Sequence, residues 1–268
     1  MAATFGSRRH VYRFLAAGWV LILAVLFAGV TALTLSVGAI DPAGAKTPPV
    51  ADLSFFVLGA SVAVGCLAQW RNPVGRVAGL QQGLVASALL LGAGAFGLRI
   101  EPALGGLVVL AVTGLLAAVH PARGQLFEPA KDAGQGPVRI QRLALAVLSV
   151  GALVPASLLA TGLLKDAASS GPSCFLGQCS FGDRLAEMAA ALVAVPLFGL
   201  LAAAGSSGWR LPLWTAGLGA GIIGAGSVAF PGTTVSLGLG GGIAALVWGA
   251  SVLLIAIAWP TAVAKDQR

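Results

Sequence analysis

A chain of 268 residues in which 57% are hydrophobic and 9% charged cannot cover a water-facing surface of its size, since soluble domains carry about 25% charged residues. Lipid is the solvent that suits this composition, and a mean hydropathy of +0.93 agrees. The net charge of +7 comes without any basic run interleaved with aromatics, which argues against nucleic acid as a partner.

A bilayer core of about 30 Å is crossed by about 20 apolar residues in a helix. Eight runs meet that need, at 14–37, 54–70, 77–97, 103–119, 143–164, 185–204, 211–230 and 235–258. The expected fold is therefore all-α, a polytopic bundle of eight transmembrane helices. The first run follows Arg8, Arg9, His10 and Arg13 in the manner of a signal peptide. It is longer than the usual h-region of about 7–15 residues and reads as a retained helix. The second and fourth runs are short, and Phe230-Pro231-Gly232-Thr233-Thr234 predicts a tight last turn.

The connections set the orientation. With the N-terminus inside, the inner segments hold Arg8, Arg9, Arg13, Arg71, Arg76, Arg123, Lys131, Arg139, Arg142, Arg210, Lys265 and Arg268, which is 12 of the 16 Lys and Arg. Lys46, Arg99, Lys165 and Arg184 fall outside, together with most of the acids. By the positive-inside rule this predicts a plasma-membrane protein with both termini cytoplasmic. Trp19, Trp70, Trp209, Trp214 and Trp259 fall near the inner interface, and only Trp248 near mid-membrane. Cys174 and Cys179 lie in the outer connection 165–184, where an oxidising compartment predicts a disulfide. Cys66 reads as an apolar filler within the second helix.

The halves 1–134 and 135–268 share a plan of helices and connections. At an offset of 138–139, Arg71 falls on Arg210 and Val77-Ala78-Gly79-Leu80 on Thr215-Ala216-Gly217-Leu218, while His120-Pro121 falls on Trp259-Pro260. This suggests a parallel four-plus-four repeat within one membrane domain, as in some transporters.

Intramembrane polar residues point to function by default, and this chain has few. Glu187 lies two residues into the sixth helix, either paired with Arg184 or at the mouth of an outer cavity. Gln81 and Gln82 lie in the third helix, either as interhelical glue or as a polar lining for a ligand. Gln69 reads as interfacial. Pro155 and Pro196 fall mid-helix and predict kinks. The runs Gly217-Leu-Gly-Ala-Gly221 and Gly238-Leu-Gly-Gly-Gly242 predict close contact of the last two helices. The second lacks the Lys-Ser/Thr ending of a phosphate loop. Eight helices in two halves with an outer cysteine pair resemble haem A synthases. That family needs haem-ligating histidines, and His10 and His120 both fall on the cytoplasmic side. No Cys/His set has zinc spacing and no catalytic triad can be assembled, so no cofactor, metal or catalytic residue is assigned.

Ala186-Glu-Met188, Pro196-Leu-Phe-Gly-Leu-Leu-Ala-Ala203, Gly208-Trp-Arg-Leu-Pro-Leu-Trp214 and Ala229-Phe-Pro231 resemble a group of uncharacterised polytopic membrane proteins from high-GC actinobacteria. The turn Arg71-Asn-Pro-Val-Gly75 resembles turns in multi-helix modules of such bacteria. The likeness covers roughly 183–231 and implies a membrane bundle without an assigned activity. Those proteins often carry a His before the sixth helix, where this chain has none between Cys179 and Arg184.

Three functional readings stand open. The first is a permease or transporter-like protein for a neutral or lipophilic small molecule, given the scarcity of intramembrane charge. The second is a structural, assembly or sensory component acting through helix–helix contacts. The third is an enzyme modifying lipid or isoprenoid, with His120, Glu128 and Asp132 in the inner connection. The expected surroundings are the lipid bilayer, while partner proteins and ligand are unspecified by the sequence.

Overall fold

The computed structural model describes residues 11–23, 25, 49–126, 137–170, 181–233 and 235–258. Among them are eight α-helices and no strand. They are α1 (Val11–Leu23), α2 (Pro49–Arg71), α3 (Val77–Phe96), α4 (Ile100–Ala118), α5 (Pro137–Ser169), α6 (Phe181–Ala204), α7 (Arg210–Ala229) and α8 (Gly238–Ala258). The last seven are long and apolar enough to cross a bilayer, so the chain is a multi-pass helical bundle. Cys174 and Cys179, and with them the expected disulfide, lie outside the described residues, as do Glu128 and Asp132. Cys66 is buried in α2 as a free thiol.

Helix ends depart from the hydropathy reading for local reasons. Neither α2 nor α4 is short. The former begins at Pro49 and the latter at Ile100, with Pro102 in its first turn, where the missing N–H has no helical partner to lose. α5 runs for 33 residues and takes in Arg139, Arg142, Lys165 and Asp166. At 1.5 Å per residue it is about 50 Å long and overruns the hydrocarbon at both ends. α8 starts three residues later than expected because Ser236 and Ser227 organise the preceding turn. The Ser227 hydroxyl accepts from Leu237 N–H at 3.2 Å, and Ser236 Oγ donates to the Ser227 carbonyl at 3.1 Å.

α6 is the axis of the bundle. It packs against α2, α3, α5 and α7, and 78% of its apolar window is buried, against 17% for α5. Its alanines at 189, 190, 191 and 194 are all buried, which lets neighbouring backbones come close. α2, α3, α6 and α7 form the inner group. α4 lies on the outside of α3, α5 outside α6 and α8 outside α7.

Glycine sets the closest crossings. A Cβ on Gly65 of α2 would lie 2.3 Å from the Gly79 carbonyl oxygen of α3. On Gly106 of α4 it would lie 2.3 Å from the Leu91 nitrogen of α3. α7 and α8 meet through Gly217 against Gly249 and Gly224 against Gly242, so the glycine runs at 217–221 and 238–242 do hold these helices together, though only in part. Gly221 and Gly240 face open space.

The turns joining α2 to α3 and α6 to α7 are stitched together. The Ser207 carbonyl accepts from Ala78 N–H at 2.9 Å and its hydroxyl from Val77 N–H at 3.3 Å. Ser207 thus caps the first turn of α3 from 130 residues away. Gly208, at φ +82°, permits the approach, since a Cβ there would meet Arg76 Cα at 2.8 Å.

Charge divides the bundle into two ends. Among the described residues, one end carries Arg13, Arg71, Arg76, Arg123, Arg139, Arg142 and Arg210 and no carboxylate. The other carries Asp52, Glu101, Asp166, Asp183 and Glu187 beside Arg99, Lys165 and Arg184. They are called below the basic and the acidic end.

Candidate functional site

The most site-like feature is a lateral cleft of about 470 Å³ between α5 and α8. These two helices hardly touch each other, because each leans on its own inner partner. The floor is Val195 of α6 with Ala220 and Ile223 of α7, all buried. Small residues widen the walls, among them Gly151 and Ala152 on α5 and Gly241 and Ala244 on α8. Val147 and Leu159 at the rim are 63% and 51% exposed, so the cleft opens sideways onto the lipid-facing surface. Its volume falls within the ~300–1,000 Å³ of small-molecule sites.

Among the described residues, no side chain lining this space is polar except that of Trp248. Its indole N–H crosses from α8 to the Leu148 carbonyl of α5 at 3.1 Å. The ring also reaches Gly199 of α6, where a Cβ would lie 3.8 Å from it. Trp248 therefore joins three helices and closes the cleft on its basic side. Pro155 and Pro196 both line the cleft, one on each of two neighbouring helices. The sequence marks both prolines but not that they face a common space.

The polar residues singled out in the sequence are placed elsewhere. Gln82 is fully buried and donates through Nε2 to the Ser61 carbonyl at 2.7 Å, tying α3 to α2. Gln81 donates to the Leu126 carbonyl beyond α4. Both act as glue and neither lines the cleft. Glu187 pairs with Arg184 at 3.6 Å at the acidic end, and both are buried there. Arg99, from the α3–α4 turn, joins the same end and donates to the Ala167 and Ser170 carbonyls at the close of α5. Gly182 leaves the room its guanidinium occupies. This end is a charged clasp linking α3–α4 to α5–α6.

At the basic end, Gln69 is not interfacial but wholly buried. Its Oε1 accepts from Tyr12 of α1 at 3.4 Å and lies 3.1 Å from His120 Nε2, while its Nε2 donates to the Arg76 carbonyl. Ala122 N–H donates to His120 Nδ1 at 3.1 Å, which fixes the ring proton on Nε2, between Gln69 and the Pro73 carbonyl. The Tyr12 ring meets the imidazole edge-on at 5.0 Å. Burial pushes the His120 pKa below its ordinary 6.5. The described partners of this ring all belong to the fold. No sequence signal identifies the trio, because Tyr12, Gln69 and His120 come from three distant segments.

A second recess of about 500 Å³ lies between α5 and α6 at the basic end. Arg142 on its rim lies against Gly205, just past the last turn of α6, where a cation suits the helix dipole. Among the described residues no three of His, Cys, Asp and Glu come together as metal ligands would. Comparison with protein-family models, curated proteins and solved structures finds no match to the chain.

Proposed function

We propose that this chain is a plasma-membrane protein that holds a neutral, lipophilic small molecule in the α5–α8 cleft, in the manner of a permease or carrier. The observation that carries this reading is the cleft itself, lined by apolar side chains apart from Trp248, open to the side and flanked by two proline-bearing helices. An ionic cargo would need a compensating charge among the lining residues, and the described ones carry none. Each proline removes a backbone hydrogen bond from its helix, which gives α5 and α6 a place at which the walls can open. Native mass spectrometry of the detergent-released protein tests it. The wild type is expected to carry an apolar adduct, one per chain, and Ala244→Trp, which fills the space, is expected to lose it. No adduct on the wild type, or the same adduct on the filled variant, rejects the proposal.

The placement of the basic end on the cytoplasmic side, and of both termini with it, is supported by the segregation of arginine described above. The four-plus-four repeat is supported by the packing order. Exchanging the halves turns α2–α3 into α6–α7, α3–α4 into α7–α8 and α3–α6 into α7–α2, and all six of these pairs are packed. The residue matches at 138–139 do not follow this exchange. α3 and α7 start at 77 and 210 and end at 96 and 229, an offset of 133. Arg71 closes α2, whereas Arg210 opens α7.

A further inference from the structure

In each of the two proline-bearing helices, the proline and the residue four places before it line the same space: Pro155 with Gly151 on α5, and Pro196 with Leu192 on α6. Proline has no N–H, so the carbonyl four residues earlier loses its helical donor. The Gly151 and Leu192 carbonyls are therefore each without their helical donor, and both residues line a cleft whose described side chains offer almost nothing polar. Gly151 has no side chain to shade its carbonyl, and the space where its Cβ would sit is empty. In hydrocarbon an acceptor without a donor is strongly unfavourable. The neighbouring carbonyl shows that this side of α5 can be reached from the cleft, because Leu148 takes the Trp248 N–H from across it.

Resting on the reading of the cleft as a lipophile site, we propose that its ligand is not a plain hydrocarbon but a long-chain molecule carrying a hydrogen-bond donor, a hydroxyl above all, which donates to one of the two carbonyls that Pro155 and Pro196 set free. The prolines then serve recognition as well as shape. A chain enters from the exposed rim at Val147 and Leu159, and Trp248 closes the space on the basic side. The donor meets the backbone between these limits. Specificity comes from the polarity of one group buried in an apolar space, where a lost hydrogen bond is not replaced by water.

The test uses the full chain in phosphatidylcholine nanodiscs and three photoreactive probes of equal length: a long-chain alcohol, the matching primary amide and the methyl ether of the alcohol. Cross-links are mapped by mass spectrometry. Alcohol and amide are expected to label α5 and α8 at the cleft about fivefold more than the ether, the size of one neutral hydrogen bond. The double variant Pro155→Ala/Pro196→Ala restores an N–H for each carbonyl and is expected to bring the ratio to near one while the ether still labels. Alanine is the better helix former, and retained ether labelling reports an intact cleft. Equal labelling of the wild type by all three probes, or an unchanged preference in the double variant, overturns this proposal and leaves the lipophile site standing. Absence of cleft labelling by every probe overturns both.

Discussion

At the scale of single residues, His120 shows how a neutral side chain becomes tied to the fold. Ala122 donates to Nδ1, so a second proton there would set two donors face to face. Burial disfavours the charged ring by taking it out of water, and this is the larger effect. In the unfolded chain the imidazole takes a proton near its usual value of about 6.5, whereas in the folded chain it does so only at lower pH. The unfolded state therefore binds more protons between the two values. The stability His120 contributes is complete above about pH 6.5 and drains away as the pH falls through the lower folded value. Thermal unfolding in detergent is expected to shift to lower temperature on acidification from about pH 7.5 to 5. His120→Gln, which keeps a donor and loses the titration, is expected to remove that component of the shift. Parallel curves for the two proteins would refute the assignment. None of this was legible in the sequence. His120 read as a cytoplasmic-side histidine and Gln69 as interfacial, because the partners that bury them lie 51 and 57 residues apart along the chain.

At the scale of elements, hydropathy identified the helices but not their ends. It measures where lipid is, whereas helix formation continues into water, and α5 shows the difference at both ends. Glycine content likewise announced close packing without saying which glycines pack. Gly217 faces Gly249 and Leu253 and Gly219 faces Val57 and Val195, yet Gly221 in the same run faces nothing. Direction on the helix decides, and direction is set by the crossing partner. The contrast yields a paired prediction. At Gly65 a methyl group would strike a backbone oxygen that cannot step aside, so Gly65→Ala is expected to destabilise the protein by about 1–3 kcal/mol, the range for overpacking. At Gly105 on α4 the space is open. Gly105→Ala is expected to be neutral or stabilising by up to ~1 kcal/mol through helix propensity. Chemical denaturation in mixed micelles compares the two, and equal effects at both positions would show that the α2–α3 crossing is looser than described.

At the scale of the molecule, the division of charge between the ends was the most readable feature, because it is a property of turns and needs no packing. The cleft was the least readable, since it arises where α5 and α8 stand apart beyond the Trp248 bridge, and neither helix carries a mark of that in its own sequence. Orientation links the two. With the basic end in the cytoplasm, Trp248 closes the cleft on its cytoplasmic side and the open remainder lies toward the outer leaflet. A lipophile would then arrive from that leaflet, and any transfer would have to move the Trp248 bridge. In a Cys174→Ser/Cys179→Ser background, with Cys66 buried, single cysteines report each end. Gly232→Cys, in the exposed turn before α8 at the acidic end, is expected to react with a membrane-impermeant maleimide on intact cells. Gly124→Cys, in the exposed turn after α4 at the basic end, is expected to react only once the membrane is opened. The reverse pattern would turn the bundle over, placing the open half of the cleft in the inner leaflet and requiring the cargo to be drawn from the cytoplasmic side.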